Sequence, residues 1–320
     1  MTDDIFSKAL QDLLDAHCTP AVVRAVEREG HSGQAALGAA AAPPTPATPA
    51  ATDLWQAING SGFANAMVPE ASGGAGLSMA DAFALFELCG RFVVPLPLAE
   101  TMLVRAWAAK RGVPAPDECV GLDWVETSAK TLPQQPGLGA QPGRQALHAA
   151  VIAAQMAGAL QRVLEMTLNQ ANERQQFGRA LGKFQAIQHQ LALMAEHTFA
   201  ARMAAQIGCA GFLEFSAEVS SAQPGASDRL RAGIAKARAS EAAVVVTDLA
   251  HSIHGAMGFT EAVDLQLFTR RLHLWRQTAG SESYWHRQVG DVLVNQHNGA
   301  ALESLRAATD LATNSPAITS

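Results

Sequence analysis

Three observations predict that this 320-residue sequence folds as a mainly α-helical protein. Hydrophobic residues make up 48% and charged residues 16%, so the chain can bury a large core. Aromatic residues are 6% with a single tyrosine, and alanine dominates. Such a composition favours packed helices over sheets, which draw on β-branched and aromatic residues. From Ala146 onward, apolar residues recur at helical spacing over long stretches. The expected architecture is an N-terminal helical domain over 1–111, a connector over 112–145 and a C-terminal antiparallel four-helix bundle over 146–320.

Ile5 to Glu29 carries Phe6, Leu10, Leu13 and Leu14 near helical spacing, and Thr19-Pro20 reads as a stop followed by a capped restart. Residues 39–51 hold four prolines among alanines and threonines and read as a linker or long loop. A short element from Asp53 ends at Gly60-Ser61-Gly62, and a glycine-rich turn follows at Gly73-Gly74-Ala75-Gly76. Ser78 and Asp81 are spaced as a capping box for a helix from Met79, which Gly90 is expected to end at Arg91. Pro95 and Pro97 bracket an extended piece before a helix over Thr101 to Arg111. From Gly112 to Gly143 proline and glycine recur, with one strand-like run over Cys119 to Val125. A segment of this kind cannot bury a core of its own.

The bundle helices are expected over Ala146 to Asn172, from Phe184 past residue 200, over Ser227 to His254, and over Gly280 to Asp310. Ile187, Leu191 and Met194 form a stripe on the second, which Gly208 or Gly211 interrupts, and Gln223-Pro224-Gly225 is a loop.

A net charge of −6 argues against a nucleic-acid surface, which needs clustered Lys and Arg. The apolar run from Ala146 to Leu160 is broken by His148 and Gln155 and reads as too short to span a bilayer. Cys18, Cys89, Cys119 and Cys209 show no metal or disulfide spacing, and the acidic start Met1-Thr2-Asp3-Asp4 lacks the order of a signal peptide. These features lead us to expect a cytoplasmic protein with free thiols.

Two bundle segments are more specific than periodicity requires. One is Arg174-Gln175-Gln176-Phe177-Gly178, followed by Phe184-Gln185-Ala186-Ile187-Gln188. The other is Ile253-His254-Gly255-Ala256-Met257-Gly258-Phe259-Thr260-Glu261, followed by Arg270. With Val68-Pro69-Glu70 and the glycine turn after it, in this order, they resemble the acyl-CoA dehydrogenase family from about Phe63 to Val294. The resemblance implies a flavoprotein with FAD held between subunits, acting on an acyl-CoA. It assigns Arg174, Phe177, Gln185, His254, Gly255 and Gly258 to cofactor binding, at the pyrophosphate and adenosine of FAD seated mainly in an adjacent subunit. A planar, permanently charged guanidinium suits a pyrophosphate, and glycines let backbone amides approach an anion.

The sequence departs from that family in two ways. Its middle β-domain is truncated to the remnant between Gly112 and Gly143, and the catalytic carboxylate is missing. Counting nine residues on from Arg270 places the usual base position at Ala279. The alternative position, 26 residues before Arg174, is His148. In the glycine segment Ser252 and Ala256 stand where the family has Gln and a second Gly. This pattern is similar to the short, base-lacking subunits of heteromeric dehydrogenases of bacterial steroid catabolism. The resemblance implies an α2β2 partnership in which a larger, full-length acyl-CoA dehydrogenase subunit supplies the base.

Each residue also has a structural reading. Arg174 can cap a helix end, Phe177 can pack, Gln185 and Gln188 can line a solvated face, and His254 can be a satisfied interior group. Arg270 is expected to pair with a carboxylate at a subunit interface. Two further functions stay open at this point: a structural scaffold that binds no flavin, and a stand-alone enzyme with His148 or Glu282 as base. His251, His254 and His273 form no metal pattern.

Overall fold

A computed structural model describes residues 2–33, 48–125, 141–210, 212 and 226–295. The N-terminal half is built from α1 (Thr2–His17), α2 (Pro20–Gly33), α3 (Pro49–Gly60), α4 (Phe83–Arg91) and α5 (Leu98–Lys110). Thr19 Oγ1 accepts from the Val22 N–H at 3.4 Å, the capped restart that Thr19-Pro20 suggested. The expected loop over 39–51 gives way to helix at its last residues, because Thr48 caps the Ala51 N–H at 3.2 Å and Pro49 occupies the first turn. Its earlier residues, 39–47, lie outside the described residues.

The Ser78–Asp81 box forms in both directions, with the Asp81 N–H donating to Ser78 Oγ at 3.2 Å and the Ser78 N–H to Asp81 Oδ2 at 3.1 Å. It shapes a turn, and the regular helix begins only at Phe83. Gly90 does not end that helix but sits inside it, for a packing reason. A β-carbon on Gly90 would lie 1.7 Å from the Gln155 carbonyl oxygen, and one on Gly158 would lie 1.8 Å from that of Glu87. The two glycines let α4 cross at backbone contact over the long helix α6 (Gln141–Glu173).

No strand forms over Cys119–Val125. The buried apolar side chains there are Cys119, Leu122 and Val125, spaced by three rather than two, and Trp124 and Val125 are helical. An isolated strand would leave its backbone unpaired. This segment instead satisfies its backbone on α5, where Thr101 Oγ1 both accepts from the Val120 N–H at 2.9 Å and donates to the Val120 carbonyl at 3.0 Å. Buried Arg105 completes the attachment, donating to Asn59 Oδ1 (2.8 Å), Asn65 Oδ1 (3.0 Å), and the carbonyls of Pro116 and Asp117 (both 3.1 Å).

The C-terminal half holds the long helices α6, α7 (Gln185–Ala210) and α8 (Ala226–His254), then the shorter α9 (Leu265–Gln277) and α10 (Glu282–Asn295). The fourth side of the bundle is thus two short helices joined by a tight turn. The pattern that marks α9 is present in the sequence: Leu265, Phe268, Leu272 and Trp275 are buried at spacings of three and four. The polar residues between them, Arg270, Arg271 and His273, and Arg276 just after them mask it. The expected extension of the last helix to Asp310, Gly211 and the Gln223-Pro224-Gly225 loop all lie outside the described residues. Gly208 does not interrupt α7; its missing β-carbon leaves room for Ala235 on α8.

By length and composition α6 is apolar enough to cross a membrane, so the expectation that this run is too short is corrected. Its residues from Ala149 to Ala154 and from Met156 to Leu160 are nevertheless buried against its neighbours in the protein. The core runs continuously through both halves. All four cysteines are free and buried, and burial pushes the thiols of Cys18, Cys119 and Cys209 up to about 12.

Candidate functional site

At the C-terminus of α6 the chain turns back on itself. Strands β1 (Gln175–Gln176) and β2 (Arg179–Ala180) pair antiparallel, with Phe177 and Gly178 as the two turn residues. Both adopt left-handed backbone angles (φ 53° and 77°), the geometry of a type I′ hairpin. Gly178 takes it freely, whereas a β-carbon there costs about 1 kcal/mol. Phe177 carries that strain and is 89% exposed. Its ring meets Phe184 edge-on at 6.2 Å, and the Arg179 guanidinium lies 4.1 Å over Phe184. Gln185, the first residue of α7, is exposed. Gln188 donates to the Gly182 carbonyl at 2.9 Å and so ties down the turn before its helix.

Arg174 joins this hairpin to the end of α8. Its Nη1 donates to the His254 carbonyl at 3.0 Å, across 80 residues of sequence. His254 itself is buried, and its Nδ1 lies 2.9 Å from the Ala250 carbonyl, which can only accept. Burial, with the Arg174 charge beside it, holds the imidazole below its ordinary pKa and therefore neutral at pH 7. What His254 offers the site is its carbonyl. Gly255 follows with φ +64°, and a β-carbon there would lie 3.5 Å from Arg174 Nη1. Gly258 is buried, and its β-carbon would collide with His254 Cβ at 2.9 Å. Of the six residues assigned from sequence, Arg174, Phe177, Gln185 and Gly255 thus line the surface, while His254 and Gly258 build what lies beneath it.

The opposite end of the bundle holds both family base positions. Ala279 sits in the α9–α10 turn at φ +58°, next to Gly280 at φ +105°. Its carbonyl accepts from Trp285 Nε1 at 3.0 Å, and Trp285 and Tyr284 fill the space over Gly280. Below lies Lys236, fully buried, with Nζ bonded to Ser240 Oγ (3.0 Å) and to the carbonyls of Arg276 and Gly280 (both 2.9 Å). Burial lowers its pKa to about 7, opposed by the nearby Glu282 charge. Glu282 is gripped by Arg276 through Nε and Nη2, which holds its carboxyl below the ordinary value. A carboxylate so held is a poor proton acceptor. His148 on α6 lies 3.6 Å from Glu100 of α5, and Gln145, one turn earlier, accepts from Tyr284 Oη at 2.9 Å.

Arg270 pairs with a carboxylate, as expected, but the carboxylate is Glu27 of the same chain, at 2.8 Å. Sequence reasoning missed Lys236, Glu100 and the α2 residues, since no local pattern marks a buried lysine or a long-range ion pair.

The match to a known family falls on the same half of the chain. Residues 144–294 match the family model described as acyl-CoA dehydrogenase, C-terminal domain. That span is similar to the C-terminal domain of acyl-CoA dehydrogenases. The acyl-CoA dehydrogenase IpdE2 of Mycolicibacterium smegmatis is 28% identical over 71% of this chain and 84% of its own length. IpdE2 of Mycobacterium tuberculosis is 27% identical over 69% and 80% respectively. Among solved structures, one of the Tcur3481-Tcur3483 steroid ACAD superposes with a TM-score of 0.67 at 20% identity, covering 94% of this chain and 99% of that one. The ChsE4-ChsE5 complex from Mycobacterium tuberculosis gives 0.66 at 16% identity, covering 92% and 97%. At these identities the two structures speak for the fold, mainly α without a middle β-domain. FAD is the cofactor to which the acyl-CoA dehydrogenase match points. The residues present fit its dinucleotide end: a guanidinium with donors beyond the one bound to His254, beside an open glycine turn.

Proposed function

We propose that this acyl-CoA dehydrogenase relative is the small subunit of a heteromeric, FAD-dependent enzyme that desaturates an acyl-CoA between its α and β carbons. The observation that carries this reading is the contrast within the bundle: Arg174 is locked to the His254 carbonyl beside an open turn, while the base positions are Ala279 and His148. In this reading a larger partner provides the carboxylate and the flavin-ring pocket, in an α2β2 assembly. Arg174 binds the pyrophosphate, the 254–258 backbone borders the adenosine, and Phe177 shields that end from water. FAD supplies the hydride acceptor. The name of the steroid ACAD relative supports a steroid-derived acyl group as substrate.

Two alternatives are weaker. Glu282 as the base of a stand-alone enzyme conflicts with the paired hydrogen bonds it accepts from Arg276, and a scaffold without flavin leaves the strained, exposed Phe177 without a use. The test is to purify the tagged chain from its own host and measure native mass and flavin absorbance together. A yellow complex twice the sum of this chain and a larger protein is the expected result. A colourless assembly of this chain alone overturns the proposal.

A further inference from the structure

The Gly255–Phe259 turn is thinly supported by burial. Met257 is 49% and Phe259 72% exposed, and the inward contacts are the packed Gly258 and a stack of Phe259 on His251 at 4.2 Å. One end of the turn is fixed by Arg174 on the His254 carbonyl. The other end leads through 260–264 into α9, and there α2 takes hold. Arg24 Nη2 donates to the Glu261 carbonyl at 3.3 Å and pairs with the Asp264 carboxylate, and Arg28 reaches Glu261 Oε2 at 3.4 Å. Glu27 divides its carboxylate between Arg270 (2.8 Å) and Arg271 (3.0 Å).

These three α2 residues share one helix face, at spacings of three and four. Asp264 stands at the N-cap of α9, where an aspartate ordinarily bonds its own helix, yet its side chain makes no capping bond and is turned to Arg24. The seam is bridged by long side chains rather than by packed backbones. Such a seam is mainly electrostatic and loosens as salt screens it.

We propose that Arg24 and Glu27 are positioning residues for the cofactor turn, and that α2 holds this turn in its FAD-binding shape through a salt-sensitive ionic seam. The proposal rests on the FAD reading above. It places control of cofactor retention on a helix some 240 residues away in sequence. Because coupling is reciprocal, bound FAD also protects α2.

The test uses the purified complex and follows FAD release by flavin fluorescence at about 0.05 M and about 0.5 M salt. Arg24→Glu and Asp264→Arg, singly, are expected to speed release about tenfold at low salt and to flatten its salt dependence. The exchanged pair Arg24→Glu/Asp264→Arg is expected to return to within about threefold of the original rate, a rescue that general destabilisation cannot give. Glu27→Gln, nearly isosteric, serves if a charge reversal fails to fold, and is expected to behave as the single variants do. Single variants that keep FAD like the parent, or an exchanged pair without recovery, overturn the proposal while Arg174→Ala still sheds FAD. If Arg174→Ala also keeps its flavin, the FAD reading falls and the positioning role with it.

Discussion

The two ends of the bundle have opposite physics. At the hairpin end, charged and aromatic groups face solvent: Phe177 is exposed at a strained φ of 53°, Gly255 opens the turn at φ +64°, and Arg174 is held by its bond to the His254 carbonyl. At the α9–α10 end, Lys236 and Glu282 are turned inward. Lys236 has three partners, Glu282 is gripped by Arg276, and Trp285 and Tyr284 occupy the space over Gly280. A left-handed non-glycine residue stands at each end, but Ala279 packs against the core whereas Phe177 is exposed, and that exposure points to a ligand. Satisfaction at the second end stabilises the fold and leaves Glu282 a poor proton acceptor.

The sharpest way to break this comparison is to empty the inward end. Lys236→Met leaves the Arg276 and Gly280 carbonyls without their donor, and should cost about 3 kcal/mol while leaving flavin content per folded complex unchanged. Denaturant titration against flavin absorbance checks both. The same residue predicts a pH signature. Its folded pKa of about 7 lies below its ordinary 10.5, so the unfolded chain binds the extra proton between them. Stability therefore rises as pH increases above 7. Above about 9 the buried thiols, raised in the folded state, act in the opposite direction. The rise between 7 and 9 should disappear in Lys236→Met; a slope that persists assigns it to another group.

Arg174→Ala attacks the outward end. It should weaken FAD retention about thirtyfold, or roughly 2 kcal/mol, with little change in melting temperature. Equal loss of stability and flavin would erase the distinction between the ends. Phe177→Gly should relieve the left-handed strain, raising stability by about 1 kcal/mol, while lowering flavin affinity. A variant improved in both respects would remove Phe177 from the site. The smallest effect is expected from Ala279→Glu in the isolated chain: no acyl-CoA oxidation, since a carboxylate alone does not restore a flavin pocket. Measurable turnover in that variant would show that the inward end is not sealed.

Local patterns disclosed a good part of this. The Thr19-Pro20 restart, the Ser78–Asp81 box and the three long bundle helices follow from spacing, because capping and helical periodicity act over a few residues. The same reading placed a strand at Cys119–Val125 and missed α9, since an apolar run does not reveal which face finds a partner. The site divides in the same way. The sequence by itself determined which residue types stand at the motif positions: Arg174, the glycine turn after His254, and Ala279 and His148 in place of carboxylates. Only the tertiary structure decided that the His254 carbonyl holds Arg174, that Gly258 is a packing glycine, that Lys236 is sealed beneath the α9–α10 turn, and that α2 grips the segment after the Gly255–Phe259 turn. Burial and ion pairing between residues as far apart as Arg24 and Asp264 arise from how the helices pack, and no spacing along the chain carries that information.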